Sequence, residues 1–179
     1  MTQGTPEFSR PVPVDTIGTA ARPVGIGANE QERAALARRF GLIGIDRLSA
    51  EASLTRSGDE IRAVGTLSAA VTQTCVATDL PVPERIEERF EILFRPQPET
   101  SAEEEFELSE GELEMVFYHG TNIDIGEAVA ETMSLSLDPY PRSPEAETAL
   151  KQAGVKSEEE AAPPSPLAGL KDLLAGKKL

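Results

Sequence analysis

Residues 47–75, R-L-S-A-E-A-S-L-T-R-S-G-D-E-I-R-A-V-G-T-L-S-A-A-V-T-Q-T-C, hold two runs of alternating character around one reversal, and that pattern decides the fold. Leu48, Ala50, Ala52 and Leu54 alternate with Arg47, Ser49, Glu51, Ser53 and Thr55, the period of a strand with one dry and one wet face. Ser57, Gly58 and Asp59 supply the turn. Beyond it, Ile61, Ala63, Leu67, Ala69, Val71 and Cys75 fall on one side, with Arg62, Thr66, Ser68, Thr72 and Thr74 opposite. The two runs predict an antiparallel hairpin. Its second strand is long, roughly 50 Å at about 3.3 Å per residue, so a bend is expected, with Gly65 as the place for a β-bulge.

Toward the C-terminus, a turn around Asp79-Leu80-Pro81 leads to a third strand, with Ile86, Phe90, Ile92 and Phe94 inward and Glu87, Arg89 and Glu91 outward. An antiparallel meander results. Between Pro96 and Gly111 the chain is prolines, glutamates and small residues, too poor in apolar groups to offset the entropy of ordering, so a mobile acidic loop is expected. Leu113 to Tyr118 suits a last short strand. Asp124, three residues before Glu127, has the arrangement of a reciprocal helix cap. Ile125, Val129 and Met133 form the apolar stripe of that helix, with Ala128 and Leu135 widening it, until Pro139 and Pro141 forbid continuation. Ser143 and Pro144 resemble the cap and first position of a short helix ending near Gly154.

Toward the N-terminus, Phe8, Val12 and Val14 surround two prolines, which restricts this segment to a sheet edge at best. A glycine-rich stretch, Val24 to Ala28, precedes a helix opened by Asn29 with Glu32 and closed at Gly41, on which Leu36 and Phe40 share a face. The expected class is therefore α+β: an antiparallel meander of four to five strands with two to three packed helices, in one domain spanning residues 1–155. Residues 156–164 are an acidic, proline-rich linker. Residues 165–179 form a short amphipathic helix whose leucine stripe, Leu167, Leu170, Leu173 and Leu174, is flanked by Lys171, Lys177 and Lys178. So short a helix is marginal alone, and it needs its own domain or a partner to cover it.

The 179 residues are 39% apolar but only 4% aromatic, with no Trp, so the large anchors of a cofactor pocket are scarce. The formal net charge of -14 is unevenly spread: residues 1–78 hold eight Lys/Arg and eight Asp/Glu, whereas residues 79–179 hold nine against 23. Strong nonspecific affinity for a phosphate backbone is disfavoured by the total. A locally basic face remains workable, because fields fade over about 8 Å at physiological salt. No apolar run is long enough to cross a bilayer and no basic start precedes an apolar block, so a cytoplasmic location is expected.

Catalytic chemistry is thinly represented. His119 is the one histidine and Cys75 the one cysteine, which leaves too few ligands for a Cys/His zinc site and no oriented base beside a nucleophile. His119, in Y-H-G-T-N, reads as a turn residue. Phosphate-cradling glycine motifs and D-x-D-x-D-G loops are absent from the sequence. The expectation is a binding protein without a catalytic, cofactor or metal site.

The ordered elements also resemble a known family. Ala70-Val71-Thr72-Gln73-Thr74-Cys75, then Val76-Ala77-Thr78, Pro81-Val82 and the strand from Glu84 to Phe94-Arg95-Pro96 are similar to the YceD-like proteins, also called large ribosomal RNA subunit accumulation proteins. An I-D-L-x-E-x-V-x-E-x-x-x-L-x-L-P-x-x-P helix in that family looks like Ile123-Asp124-Ile125 through Glu127, Val129, Glu131, Leu135, Leu137 and Pro139 to Pro141 here. The family's P-N-P-F-A-x-L-x-x-L-basic tail looks like Pro164-Ser165-Pro166-Leu167-Ala168-Gly169-Leu170 through Leu174 and Lys177-Lys178. Members often carry a second cysteine where this chain has Thr78, so Cys75 is best read as a small residue on the inward face of its strand.

The resemblance implies a non-enzymatic role in the accumulation or processing of large-subunit (23S) ribosomal RNA, and so in ribosome assembly. Two contacts are open. Arg33, Arg38, Arg39, Arg47, Arg56 and Arg62 are the candidates for touching precursor RNA. Alternatively the acidic half engages a basic ribosomal protein or assembly factor and protects RNA indirectly; Leu167, Leu170, Lys171, Leu174, Lys177 and Lys178 of the terminal helix are separate candidates for docking in a partner's groove. The charge distribution leans toward the second. An acidic adaptor unconnected with ribosomes is the alternative reading.

Overall fold

A computed structural model of the protein describes residues 6–98 and 114–155. The hairpin forms as the alternation requires. Strand β3 (Gly44–Ser57) and strand β4 (Glu60–Thr74) run antiparallel around Gly58 and Asp59, and Gly58 sits at φ 63, a left-handed conformation that suits glycine. Before β3 come a short strand β1 (Pro11–Pro13), strand β2 (Arg22–Gly27) and helix α1 (Glu30–Phe40). After β4 come β5 (Pro81–Pro96), β6 (Glu114–Tyr118), β7 (Asn122–Asp124) and helices α2 (Ile125–Leu135) and α3 (Ala146–Gln152). The main sheet has the order β2-β3-β4-β5-β6, and β1 pairs with β7 in a separate two-stranded ribbon.

Pairing makes the faces of the sheet explicit. On one face lie Leu48, Ala50 and Leu54 of β3, Ile61, Ala63, Leu67, Ala69 and Val71 of β4, and Ile86, Phe90, Ile92 and Phe94 of β5, all buried. Helices α1 and α2 and the arm from Phe8 to Ile17 cover this face, contributing Phe8, Leu36, Ile125, Val129 and Met133 to the same core. Burying each such side chain is worth about 1.5–3 kcal/mol, and the sum holds the helices to the sheet. No helix among the described residues covers the opposite face.

Several expectations are corrected. Gly65 carries no bulge: it pairs regularly with Ala52 and Phe90, and a Cβ there would lie 2.7 Å from the Phe90 ring and 2.3 Å from the Glu51 carbonyl oxygen. Glycine leaves room for the aromatic ring instead of bending the strand. The irregularity falls between Ile45 and Arg47, so Asp46 is the extra residue and both Ile45 and Leu48 can point inward. The meander is not wholly antiparallel, because β6 runs parallel to β5. A parallel pair needs a crossover of a dozen or more residues, and residues 97–113 supply that length. The Val24 to Ala28 stretch, read only as glycine-rich, is mostly edge strand β2, where Pro23 withholds a donor from the open edge.

The helix caps are partly as expected. Asn29 and Glu32 form the reciprocal box, and Gly41 closes α1 at φ 67. Asp124 caps α2 by accepting from the Gly126 and Glu127 amides, but the Glu127 carboxylate pairs with Arg39. Leu135 is 76% exposed rather than part of the stripe, which widens instead through Ala130 and Thr132. Ser143 does not cap α3: it is buried, its amide donates to the Cys75 sulfur, and its hydroxyl meets that of Thr78. The N-cap of α3 is Glu145, without a side-chain bond. The acidic loop is described only up to residue 98, and the linker at 156–164 and the helix at 165–179 lie outside the described residues.

Candidate functional site

The sheet face that no described helix covers is lined by charged and short polar side chains. Strand pairing puts Arg47, Arg62, Arg85, Arg89 and Arg95 on it, among Glu51, Glu60, Glu87 and Glu91. Between them stand short side chains, including Ser49, Ser53, Thr66, Ser68, Ala70 and Thr72, and β2 adds only Pro23, Gly25 and Gly27. On β3, β4 and β5 the branched aliphatic side chains of this face are Val64 and Leu93, and Leu93 stands opposite Arg62 rather than opposite Arg47, Arg85 or Arg89. Arg62 pairs with Glu91 and Arg95 with Glu60, and the Ser68 hydroxyl donates to Glu87. Arg47 and Arg85 flank Ala70 on neighbouring strands, and together with Arg89 they make no ion pair among the described residues.

The six arginines singled out from the sequence are therefore not one patch. Arg47 and Arg62 lie on the open face. Arg33 is tied to backbone, its Nε donating to the Ile45 carbonyl at 3.2 Å and its Nη1 to the Ala28 carbonyl at 2.8 Å. Arg39 binds Glu7 and Glu127, fastening the arm and α2 to α1. Arg56 secures the hairpin end through the Gly58 and Val14 carbonyls. Arg38 alone of the α1 arginines is exposed without an ion pair among the described residues. Sequence reasoning passed over Arg85 and Arg95 and assigned Arg89 only to an outward face. The signal was the alternation of β5, which puts all three outward once Ile86, Phe90 and Ile92 point in.

No lysine precedes Lys151, so every lysine or arginine of the sheet and of α1 and α2 is an arginine. That choice matters chemically, since the planar guanidinium presents paired donors that match a carboxylate or a phosphate in two bonds at once. In Arg33, Arg39 and Arg56 these donors are spent on fixed partners. On the open face Arg47 spends only its Nε, on the Ser49 hydroxyl at 3.4 Å, and among the described residues the donors of Arg85 and Arg89 have no side-chain partner.

A second concavity, an open cleft of about 620 Å³, lies between α2, β6 and the N-terminal arm and includes Arg39, His119, Asp124, Glu127 and Glu131. Its charged groups are already engaged. Asp124 accepts from the Ser9 hydroxyl at 2.5 Å and the Arg10 amide at 2.7 Å besides capping α2, and Arg39 holds Glu127. Burial raises the pKa of Glu131, and the negative charges of Glu127 and Glu114 add to that against the pull of Arg39. His119 is exposed in the turn from β6 to β7, beside Gly120 at φ 69. Among the described residues no three His, Cys, Asp or Glu side chains group as metal ligands.

Cys75 occupies a different environment from the one expected of a passive small residue. Its buried sulfur accepts from the Ser143 amide at 3.2 Å and the Ala77 amide at 3.5 Å. Desolvation pushes the thiol up, but the bonds from Ser143, Thr78 and Ala77 outweigh it and bring the pKa from 9.0 to about 6. The thiol is thus a structural acceptor joining the end of β4 to the segment that follows α2. No helix among the described residues is long and apolar enough to cross a membrane.

A family model described as large ribosomal RNA subunit accumulation protein YceD matches residues 63–174, from β4 through α3 and on toward the C-terminus. No curated protein and no solved structure matches the chain.

Proposed function

The chain belongs to the YceD family of large ribosomal RNA subunit accumulation proteins, and on that premise we propose that it promotes accumulation of large-subunit ribosomal RNA as a non-catalytic binding protein in the cytoplasm. It acts by occupying a surface of a large-subunit precursor, and its open sheet face makes the contact. One observation carries this reading: Arg47, Arg85 and Arg89 stand on a broad face of short side chains with their guanidinium donors free of ion pairs among the described residues. Phosphate oxygens of RNA are the acceptors that suit such donors. Glu51 and Glu87 beside them keep affinity modest and discourage indiscriminate binding, which rests on net positive charge.

Sedimentation of a cell lysate on a sucrose gradient tests the role. The protein is expected to travel with large-subunit precursors, and exclusive recovery at the top of the gradient would retire the reading. For the contact itself, replacing Arg47, Arg85 and Arg89 with Glu should release the protein from that fraction. Each arginine lost from a phosphate contact lowers the slope of log affinity against log salt by about 1. A variant that stays bound with an unchanged salt slope would assign the contact to the acidic half and a basic ribosomal protein.

A further inference from the structure

We propose that residues 165–179 return as an amphipathic helix onto an apolar patch at one end of the same domain, formed by Val76, Leu80 and Tyr140. These side chains are 56%, 41% and 71% exposed. Backbone bonds bring them together: the Val76 amide donates to the Pro141 carbonyl at 2.9 Å, and the Cys75 amide to the Leu80 carbonyl at 2.8 Å. Ile43, 55% exposed, adjoins this end, its amide bonded to the Thr72 carbonyl at 2.9 Å. Large apolar side chains scattered singly need no partner, whereas a group of them at one place marks a contact surface. The patch is also held in shape beforehand, because the Cys75 sulfur and the Thr78 hydroxyl anchor Ser143 from beneath.

The occupant is chosen by reach, pattern and charge. The described chain ends at Val155, just past α3, which begins three residues after the anchored Ser143. Retracing α3, seven residues long, takes about 10 Å. Residues 156–164 span roughly 30 Å when extended, which is ample. Leu167, Leu170, Leu173 and Leu174 offer a stripe too short to be stable uncovered. The lysines Lys171, Lys177 and Lys178 complement a border on which Asp79, Asp138 and Glu145 are exposed, with Arg142 as the one exposed cation among the described residues 76–80 and 138–145. This inference is independent of the proposed function, since it concerns the chain's contact with itself.

The absence of Trp from the sequence gives a direct test in the full-length protein. With Leu170→Trp as the only indole, emission should be blue-shifted, shielded from iodide, and unchanged by dilution. Adding Val76→Asp and Leu80→Asp should shift it red and raise iodide quenching several-fold, with circular dichroism confirming the fold. If that pair unfolds the domain, Tyr140→Asp on the exposed loop replaces it and should act in the same direction. Emission of an exposed indole in the parent would overturn the proposal. So would shielding lost on dilution, which means a second copy, or shielding that survives the patch variants, which places the helix elsewhere.

Discussion

Asp124 joins three parts of the chain with one carboxylate, which binds the Ser9 hydroxyl, the Arg10 amide and two amides of the first turn of α2. Asp124→Ala should cost on the order of 2 kcal/mol, combining a lost cap with an Arg10 amide left unsatisfied, and Asp124→Asn should retain most of the capping. Urea unfolding midpoints measure both. Glu32 is a second such tie, bidentate with Arg10 at 2.7 and 2.9 Å and accepting from the Asn29 amide at 2.7 Å. Its hydrogen bonds to Arg10, offset by desolvation, hold its pKa below the ordinary 4.5. A lowered folded-state value stabilises the protein above the unfolded value and loses that contribution as pH falls through the folded one. The stability gap between the parent and Glu32→Gln should therefore be full near neutrality and close below pH 4.5. Cys75 should titrate near pH 6 by ultraviolet thiolate absorbance, and Cys75→Ala should remove that transition. Of these partners, the sequence disclosed those three or four positions apart, such as Asn29 with Glu32. Ser9 with Asp124 spans 115 positions, and no local pattern encodes a meeting at that separation.

At the scale of elements, two glycines serve close approach. Gly126, in the first turn of α2, is where the N-terminal arm crosses: a Cβ would stand 2.4 Å from the Phe8 carbonyl oxygen and 2.9 Å from the Arg10 amide. Gly65 does the same for the Phe90 ring. Alanine at either position should destabilise by about 1–3 kcal/mol through forced displacement, whereas Gly25→Ala, with nothing within 4 Å of its Cβ, should be nearly neutral; thermal unfolding compares the three. The strands were legible because one wet face imposes strict alternation from Leu48 onward. That signal fails at the Asp46 irregularity and in β2, where Gly25 and Gly27 leave no side chains to alternate. The parallel pairing of β6 was not legible either, since five residues carry the same pattern whichever way they run.

For the whole molecule, charge and architecture divide the surface. One sheet face is sealed by α1, α2 and the N-terminal arm, and the other keeps arginine among short polar groups while the chain as a whole carries -14. On the proposed function, raising salt should weaken association of the parent protein with precursor particles, and the Arg47, Arg85 and Arg89 variant should respond less; gradient sedimentation at several salt concentrations checks this. The sequence by itself determined the class, the hairpin, both long helices, the family and the separation of acidic from neutral halves, because periodicity, caps and charge counts are local quantities. Only the tertiary structure decided which arginines are spent and which lack an ion pair among the described residues: Arg33, Arg39 and Arg56 tie the arm, α1, α2 and the hairpin end together, and Arg85 and Arg89 join Arg47 on the open face. A guanidinium's role depends on the acceptors that folding brings within 3 Å or so of it, and some of those, such as Glu127 for Arg39 and the Val14 carbonyl for Arg56, come from distant parts of the chain.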